Sequence, residues 1–209
     1  MDMQFYGANT IVLSSKSNRL VIDDNLTTLG AKSVAKAGDI CVFTGEHAAV
    51  AGDPKIVIDM PGEYEVSNVS IFGMQVRAHM DEPGTESATL YKITWGETRV
   101  LVTGHIFPKL SDDQLENIGI VDVMFVPVGG NGYTTDAGGA LQLIKQVEPK
   151  VVIPTHYNDA RLSFAVPQAE LEDALKNMAM ESKERVSKFQ FKPAEATDTT
   201  QLVVIETTK

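Results

Sequence analysis

Apolar residues come in short runs along this chain, and their spacing predicts a succession of β-strands before any helix. Runs at 3–6, 10–13 and 20–22 are separated by Gly7-Ala8-Asn9 and by the polar stretch 14–18, both turn-like. Runs at 40–44 and 56–58 follow, and Pro61-Gly62 then turns the chain into Glu63-Tyr64-Glu65-Val66 and a longer run over 69–78. Such spacing predicts a meandering antiparallel sheet in the first third. Farther on, the runs 89–95 and 99–103 flank Gly96-Glu97, a hairpin turn.

Helical spacing enters later. Ser111-Asp112-Asp113-Gln114 has the form of a capping box and opens a short helix through Ile118. The run 123–126 reads as a buried strand, closed by Pro127-Val128-Gly129-Gly130. Ala137, Ala140, Leu141, Ile144 and Val147 then recur on one helical face, with Asp136 placed to cap it. Gly138 and Gly139 weaken that helix by about 1 kcal/mol each relative to alanine, and mark a place for close packing against the sheet. A strand over 150–153 ends in Pro154-Thr155-His156-Tyr157, an amphipathic helix covers 168–180, and 202–205 forms a last strand. No linker, repeat or low-complexity stretch interrupts this order, so residues 1–209 read as a single α/β domain with mixed sheets.

Composition narrows the setting. The 209 residues suffice for one sizeable core, and 43% hydrophobic with 22% charged residues is ordinary for a globular protein. No apolar run approaches the roughly 18 residues of a membrane helix, and Met1-Asp2-Met3-Gln4 begins no basic-then-apolar leader. The single cysteine, Cys41, excludes an intramolecular disulfide and fits a reducing cytoplasm. It lies inside an apolar strand, where it reads as a small buried hydrophobe. A net charge of −10 with no Lys/Arg cluster argues against nucleic acid and leaves a small molecule as the expected partner, with no membrane contact.

Candidate chemistry centres on four histidines. Asp39-Ile-Cys-Val-Phe-Thr-Gly-Glu-His-Ala-Ala-Val50 is an aliphatic strand that ends in a glycine turn presenting His47. His79, His105 and His156 likewise follow or end aliphatic runs, at strand ends, where rigid scaffolds commonly carry function.

The order of motifs resembles the small bacterial metal-dependent hydrolases of the metallo-β-lactamase superfamily, in the branch near L-ascorbate-6-phosphate lactonase. The resemblance rests on Arg19-Leu-Val-Ile-Asp23, Pro61-Gly-Glu-Tyr-Glu-Val66, Val121-Asp-Val-Met-Phe-Val-Pro-Val-Gly-Gly130 with Tyr133-Thr-Thr-Asp136, and Pro149-Lys-Val-Val-Ile-Pro-Thr-His-Tyr157. It implies a four-layer αββα sandwich, two mixed β-sheets with helices outside, and a site at one edge. His47, His79 and His156 fall on ligand positions of that family, and His105 stands where a bridging aspartate is expected. The first metal motif, His-x-His-x-Asp-His, is degenerate: Gly45, Ala49 and Val50 replace two histidines and the aspartate. Ala8-Asn9 stands where relatives often have another histidine.

On this resemblance the expected centre is mononuclear. His47, His79 and His105 would hold one zinc ion, with iron or manganese as alternatives, at about 2.0–2.1 Å for Zn–N. His156 would be a fourth ligand or, with Glu46, a proton-transfer group, and Asp23 would hold an imidazole by accepting its second N–H. The expected function is hydrolysis of a small ester, lactone or phosphorylated substrate. The alternative is a catalytically inactive member of the fold, without metal, used for ligand binding or assembly. Relatives form oligomers, which makes a homo-oligomer an expectation of the resemblance alone. Imidazole nitrogens converging within about 4–5 Å of a point would support the metal site, whereas separate hydrogen bonds would support its loss.

Lesser candidates surround these. Gly129-Gly130-Asn131-Gly132 permits close backbone approach to a ligand but is no phosphate loop, because no Lys-Ser/Thr follows. Tyr133 and Thr134 would border the pocket. Asp81-Glu82 reads as a solvated loop, and Met178 and Met180 as packing or surface residues.

Overall fold

The computed structural model describes every residue except 16, 17, 196, 198 and 209. Five strands make the first sheet: β1 (Asp2–Gly7), β2 (Thr10–Ser14), β3 (Arg19–Ile22), β4 (Ile40–Val42) and β5 (Ile56–Ile58), in that spatial order. The expected antiparallel meander holds only for β1, β2 and β3; β3, β4 and β5 pair in parallel. Long connections, residues 23–39 and 43–55, separate these parallel strands, which is what a parallel crossover requires. Strand alternation explains why the apolar runs are nearly unbroken. Ile11, Leu13, Leu20, Ile22, Ile40 and Val42 face the main core, while Val12, Val21, Cys41 and Phe43 build a second small cluster on the other face. That outer face is covered by Tyr6 and the loop residues Val34, Ala35 and Val50. Cys41 is buried there, as its apolar neighbours predict.

The second sheet has eight strands: β6 (Gly62–Val66), β7 (Val69–Val76), β8 (Ala88–Trp95), β9 (Thr98–Val102), β10 (Val123–Pro127), β11 (Val151–Thr155), β12 (Ser182–Val186) and β13 (Gln201–Ile205), in the order β12-β13-β11-β10-β9-β8-β7-β6. From β6 to β9 it is antiparallel, joined by the hairpin at Gly96-Glu97; from β9 to β12 it is parallel. Helices α1 (Asp112–Ile118), α2 (Ala137–Val147) and α3 (Leu171–Met178) add their apolar faces to the main core. The Ser111 capping box and the Asp136 cap of α2 both form. Gly139 packs tightly, but against Pro108 and not the sheet: an added Cβ would lie 3.0 Å from the Pro108 ring. The helix expected over 168–180 is the shorter α3, because Gln168 is drawn into the site described below. Met178 is buried and Met180 packs on the same core. Strand β12 has no precedent in the apolar pattern. Its Ser-Lys-Glu-Arg-Val sequence is that of a charged edge strand.

The turn expected at 14–18 contains residues 16 and 17, outside the described set; Ser15 and Asn18 close it with a 3.0 Å backbone hydrogen bond. Among the described residues no helix is long and apolar enough to cross a membrane.

Candidate functional site

A cavity of about 740 Å³ opens at the edge where the ends of both sheets meet, lined among others by Asn9, Asp23, Glu46 and all four histidines. The first sheet contributes the β1–β2 turn and the segments after β3 and β4. The second contributes the segments after β7, β9 and β11.

Tight backbone approaches set this corner. Ala8, Asp23 and His156 all have positive φ, at 48°, 47° and 52°, conformations costing such residues about 1–3 kcal/mol each unless the surroundings enforce them. The enforcement is visible. The His156 N–H donates to the Ala8 carbonyl at 2.7 Å, stitching the two sheets together. Gly104, with φ of 58°, lets the chain after β9 pass so close to Thr44 that a Cβ would sit 2.1 Å from its Oγ1. Gly129 plays the same part for Gln168 and His156: a Cβ would lie 2.1 Å from both Gln168 Oε1 and the His156 carbonyl.

Asp23 is buried, and its carboxylate accepts from the Thr44 N–H and the Thr44 hydroxyl, each at 2.7 Å. Desolvation pushes its pKa up to about 6, against the pull of the two Thr44 hydrogen bonds. The expectation that Asp23 holds an imidazole is therefore corrected: both of its oxygens serve Thr44, locking the end of β3 to the residue after β4.

His47 lines the cavity but has partners of its own. Its ring stacks on Phe43 with centroids 4.0 Å apart, Nδ1 donates to the Ala48 carbonyl at 2.7 Å, and Nε2 lies 3.2 Å from the Asp59 carboxylate. Glu46 is exposed at the cavity mouth.

His105 and His156 stand edge to face, ring centroids 4.5 Å apart. Their hydrogen bonds assign their tautomers. Thr155 Oγ1 donates to Asn9 Oδ1 at 2.9 Å, so the Asn9 amide turns its NH₂ toward His105 Nε2, 3.1 Å away. Nε2 must accept, which leaves the proton of neutral His105 on Nδ1. Gln168 Nε2 donates to the Val166 carbonyl at 2.8 Å, leaving Oε1 to accept from His156 Nδ1 at 3.1 Å. His156 Nε2 therefore keeps its lone pair. Burial drives the His105 pKa down to about 3, helped by His156 and His79, and that of His156 to about 4. Both rings are neutral at physiological pH. Desolvation also lowers His79. Its backbone N–H donates to the His105 carbonyl at 2.7 Å, so the two residues are joined through the main chain. Tyr133 and Phe164 close over this corner, 5.0 Å from the His105 ring and 5.1 Å from the His156 ring. Asp81 is no free surface carboxylate; it accepts from the Ala78 and Ser87 N–H groups at 2.8 Å and closes the loop after His79.

These residues do not fit a metal centre as arranged. Among the described residues no group of three or more His, Cys, Asp or Glu is placed to hold an ion. His47 is turned to Asp59, Asp23 to Thr44, and the His105 Nε2 lone pair to Asn9. Three of the four histidines expected as ligands, His47, His105 and His156, thus have their rings in separate hydrogen bonds. One feature runs the other way: Nδ1 of His79 and Nδ1 of His105 are both buried without a hydrogen-bond partner.

Sequence reasoning passed over Asn9 as a mere substitute for histidine and took Gln168 as the start of a helix. Gln168 gave no signal, since its bond to His156 depends on the Gly129 approach. Asn9 gave only its place in the Gly7-Ala8-Asn9 turn, since its partners Thr155 and His105 are remote in sequence.

A two-sheet sandwich with a cavity at the strand ends, ringed by histidines, defines a class of hydrolase folds. The chain belongs to the β-lactamase superfamily: the family model for the beta-lactamase superfamily domain matches residues 2–156. A UPF0173 metal-dependent hydrolase of Salinibacter ruber is 25% identical over 199 residues, covering 76% of this chain and 85% of that relative. Another, from Thermoplasma acidophilum, is 39% identical over 57 residues; that match takes in 26% of this chain and spans only 25% of the relative's length. Among solved structures, a Thermotoga maritima protein provisionally assigned as a Zn-dependent hydrolase of the metallo-β-lactamase superfamily aligns with a TM-score of 0.77, 25% identity and 98% coverage of each chain. The superfamily and its sandwich are those expected from the sequence.

Proposed function

We propose that this chain keeps the scaffold and cavity of the metal-dependent hydrolases but binds a small molecule there through neutral hydrogen-bonding groups, without a paired metal centre. The observation that carries the reading is the separate partnering of His47, His105 and His156, above all the His105 Nε2 lone pair held by Asn9. Likeness to the L-ascorbate-6-phosphate lactonase branch then concerns the scaffold and not the reaction. The net charge of −10 supports a small molecule over a nucleic acid as partner. Elemental analysis of untagged protein, expressed with zinc, iron and manganese in turn, tests the reading. The expected result is well below one ion per chain in every preparation, and a melting temperature unchanged by chelator, because only a metal that binds the native state would stabilise it.

A second reading is favoured by the two unpartnered Nδ1 atoms of His79 and His105, and requires the His105 proton to move from Nδ1 to Nε2 against the Asn9 amide. It is a mononuclear hydrolase of a small ester, lactone or phosphorylated substrate, with His79 and His105 holding the ion and His156 or Glu46 moving protons. One ion per chain, lost together with turnover in His79→Ala and in His105→Ala, would establish it and displace the first.

A further inference from the structure

The cavity wall is selective by charge. Among the described residues that line it, none is lysine or arginine, and the only ionisable acids are Asp23 and Glu46. His105 Nε2 accepts from Asn9, which a protonated ring could not do, and the wall's amides come from Asn9, Asn25 and Gln168. Phosphate and carboxylate groups are held in proteins by charge-assisted donors, and a buried anion without such a partner is strongly disfavoured. This wall offers an anion no cation to pair with.

What it does offer is an acceptor beside an apolar surface. His156 Nδ1–H is committed to Gln168, so Nε2 carries a free lone pair. His156 lines the cavity, and among the described residues no group hydrogen-bonds its Nε2. Phe164 and Tyr133 lie beside its ring, and Leu29 and Val166 line the same cavity, the mostly apolar lining with few placed polar groups that small-molecule sites favour.

We propose that the cavity takes an uncharged molecule with an aromatic body and one hydrogen-bond-donating O–H or N–H, the donor meeting His156 Nε2 and the body lying against Phe164, and that it turns away phosphorylated and carboxylated compounds. This rests on the metal-free binding reading and sharpens it. It also removes the phosphorylated substrate from the sequence-based expectation.

Four probes sharing one ring separate the possibilities: phenol, anisole, phenyl phosphate and benzylamine, each titrated against the full chain by ligand-observed NMR. Phenol is expected to bind about tenfold tighter than anisole, the size of one net hydrogen bond. Phenyl phosphate is expected to be weaker than phenol by about tenfold or more, and benzylamine weaker than phenol as well. In His156→Ala the preference for phenol over anisole should vanish, and in Phe164→Ala both should weaken alike. If His156→Ala fails to fold, the phenol-to-anisole ratio in the parent still decides. Equal or tighter binding of phenyl phosphate or benzylamine overturns the uncharged-ligand inference while leaving a binding cavity in place. Equal binding of phenol and anisole overturns the role of His156. Binding by none of the four to folded protein overturns the inference together with the reading beneath it.

Discussion

His47 and His105 both follow strand ends on the same edge of one sandwich, yet their surroundings differ in nearly every respect. His47 lies on Phe43 with a surface carboxylate for a partner, its side chain 20% exposed. His105 sits half-buried between Asn9, His156 and Tyr133, where desolvation disfavours charging the ring. Position on the strand end makes each residue available to the cavity. What each can do there is fixed by its neighbours: near ones in sequence for His47, and for His105 the remote Asn9 amide.

The sharpest way to break this contrast is to disturb the backbone at each corner. Gly129→Ala places a Cβ 2.1 Å from the His156 carbonyl, an atom that cannot yield without moving β11, and from Gln168 Oε1. A loss of about 3 kcal/mol in urea denaturation is expected, at the upper end for overpacking. Gly45→Ala, beside His47, meets nothing within 4 Å, and should stay within about 0.5 kcal/mol of the parent. Similar costs for the two would show that the His156 corner is no tighter than the His47 corner.

Acid should expose the same difference. The native pKa values of His105 and His156, about 3 and about 4, lie below the ordinary 6.5. Below pH 6.5 the unfolded chain therefore binds protons that the native state refuses. The stability present above 6.5 is lost as pH falls, by about 1.5 kcal/mol per imidazole between pH 6.5 and 5. Asp23 acts in the opposite sense. Its raised native pKa, about 6, favours the native state as pH falls through 6 and returns about 1 kcal/mol over the same interval. The net expectation is a loss of about 2 kcal/mol from pH 6.5 to 5. His156→Gln should flatten the profile by one imidazole's share. A parent profile flat over this interval would mean that the buried pair is solvated after all.

How much of this was legible in the sequence follows from the range of the interactions. Alternating and continuous apolar runs located nearly every strand, because burial on one or both faces is written locally. The Ser111 and Asp136 caps were legible for the same reason: donor and acceptor lie three residues apart. Strand direction in β3, β4 and β5 was not, since parallel and antiparallel neighbours can bury the same residues. The charged edge strand β12 carries no apolar pattern at all. At the site, the four histidines could be read off strand ends, but their orientation could not. Asn9 meets Thr155 across 146 residues and His105 across 96, and no local pattern encodes those contacts.

The tautomer assigned to His105 gives a sharper test of what separates the two histidines. Asn9→Asp replaces the donating amide with an acceptor. His105 Nε2 must then carry the proton, and its Nδ1, buried beside no partner, becomes a free lone pair. A carboxylate accepting from an imidazole N–H is also the arrangement that strengthens the opposite nitrogen as a metal ligand. The variant should gain zinc affinity by about 10-fold or more over the parent, read as a zinc-dependent rise in melting temperature. His105→Ala in the same background should remove that gain. A parent that already responds to zinc as strongly would show that Asn9 does not control the ring.

The smallest effect is expected at His47. Phenylalanine can keep the stack on Phe43, since that contact depends on a flat ring with centroids 4.0 Å apart. What His47→Phe loses is the hydrogen bond to Ala48 and the approach to Asp59, whose side chain is 49% exposed. Exposed polar contacts of this kind contribute little, and the Ala48 carbonyl can turn to water. A change within about 0.5 kcal/mol in urea denaturation, with phenol binding unaltered, is therefore expected. A loss of phenol binding would place His47 functionally with His105 and His156, and the separation of the two corners would have to be abandoned. If instead the variant is merely neutral, the one histidine kept from the family's first metal motif is a surface stacking residue, and the cavity's chemistry belongs to the buried pair.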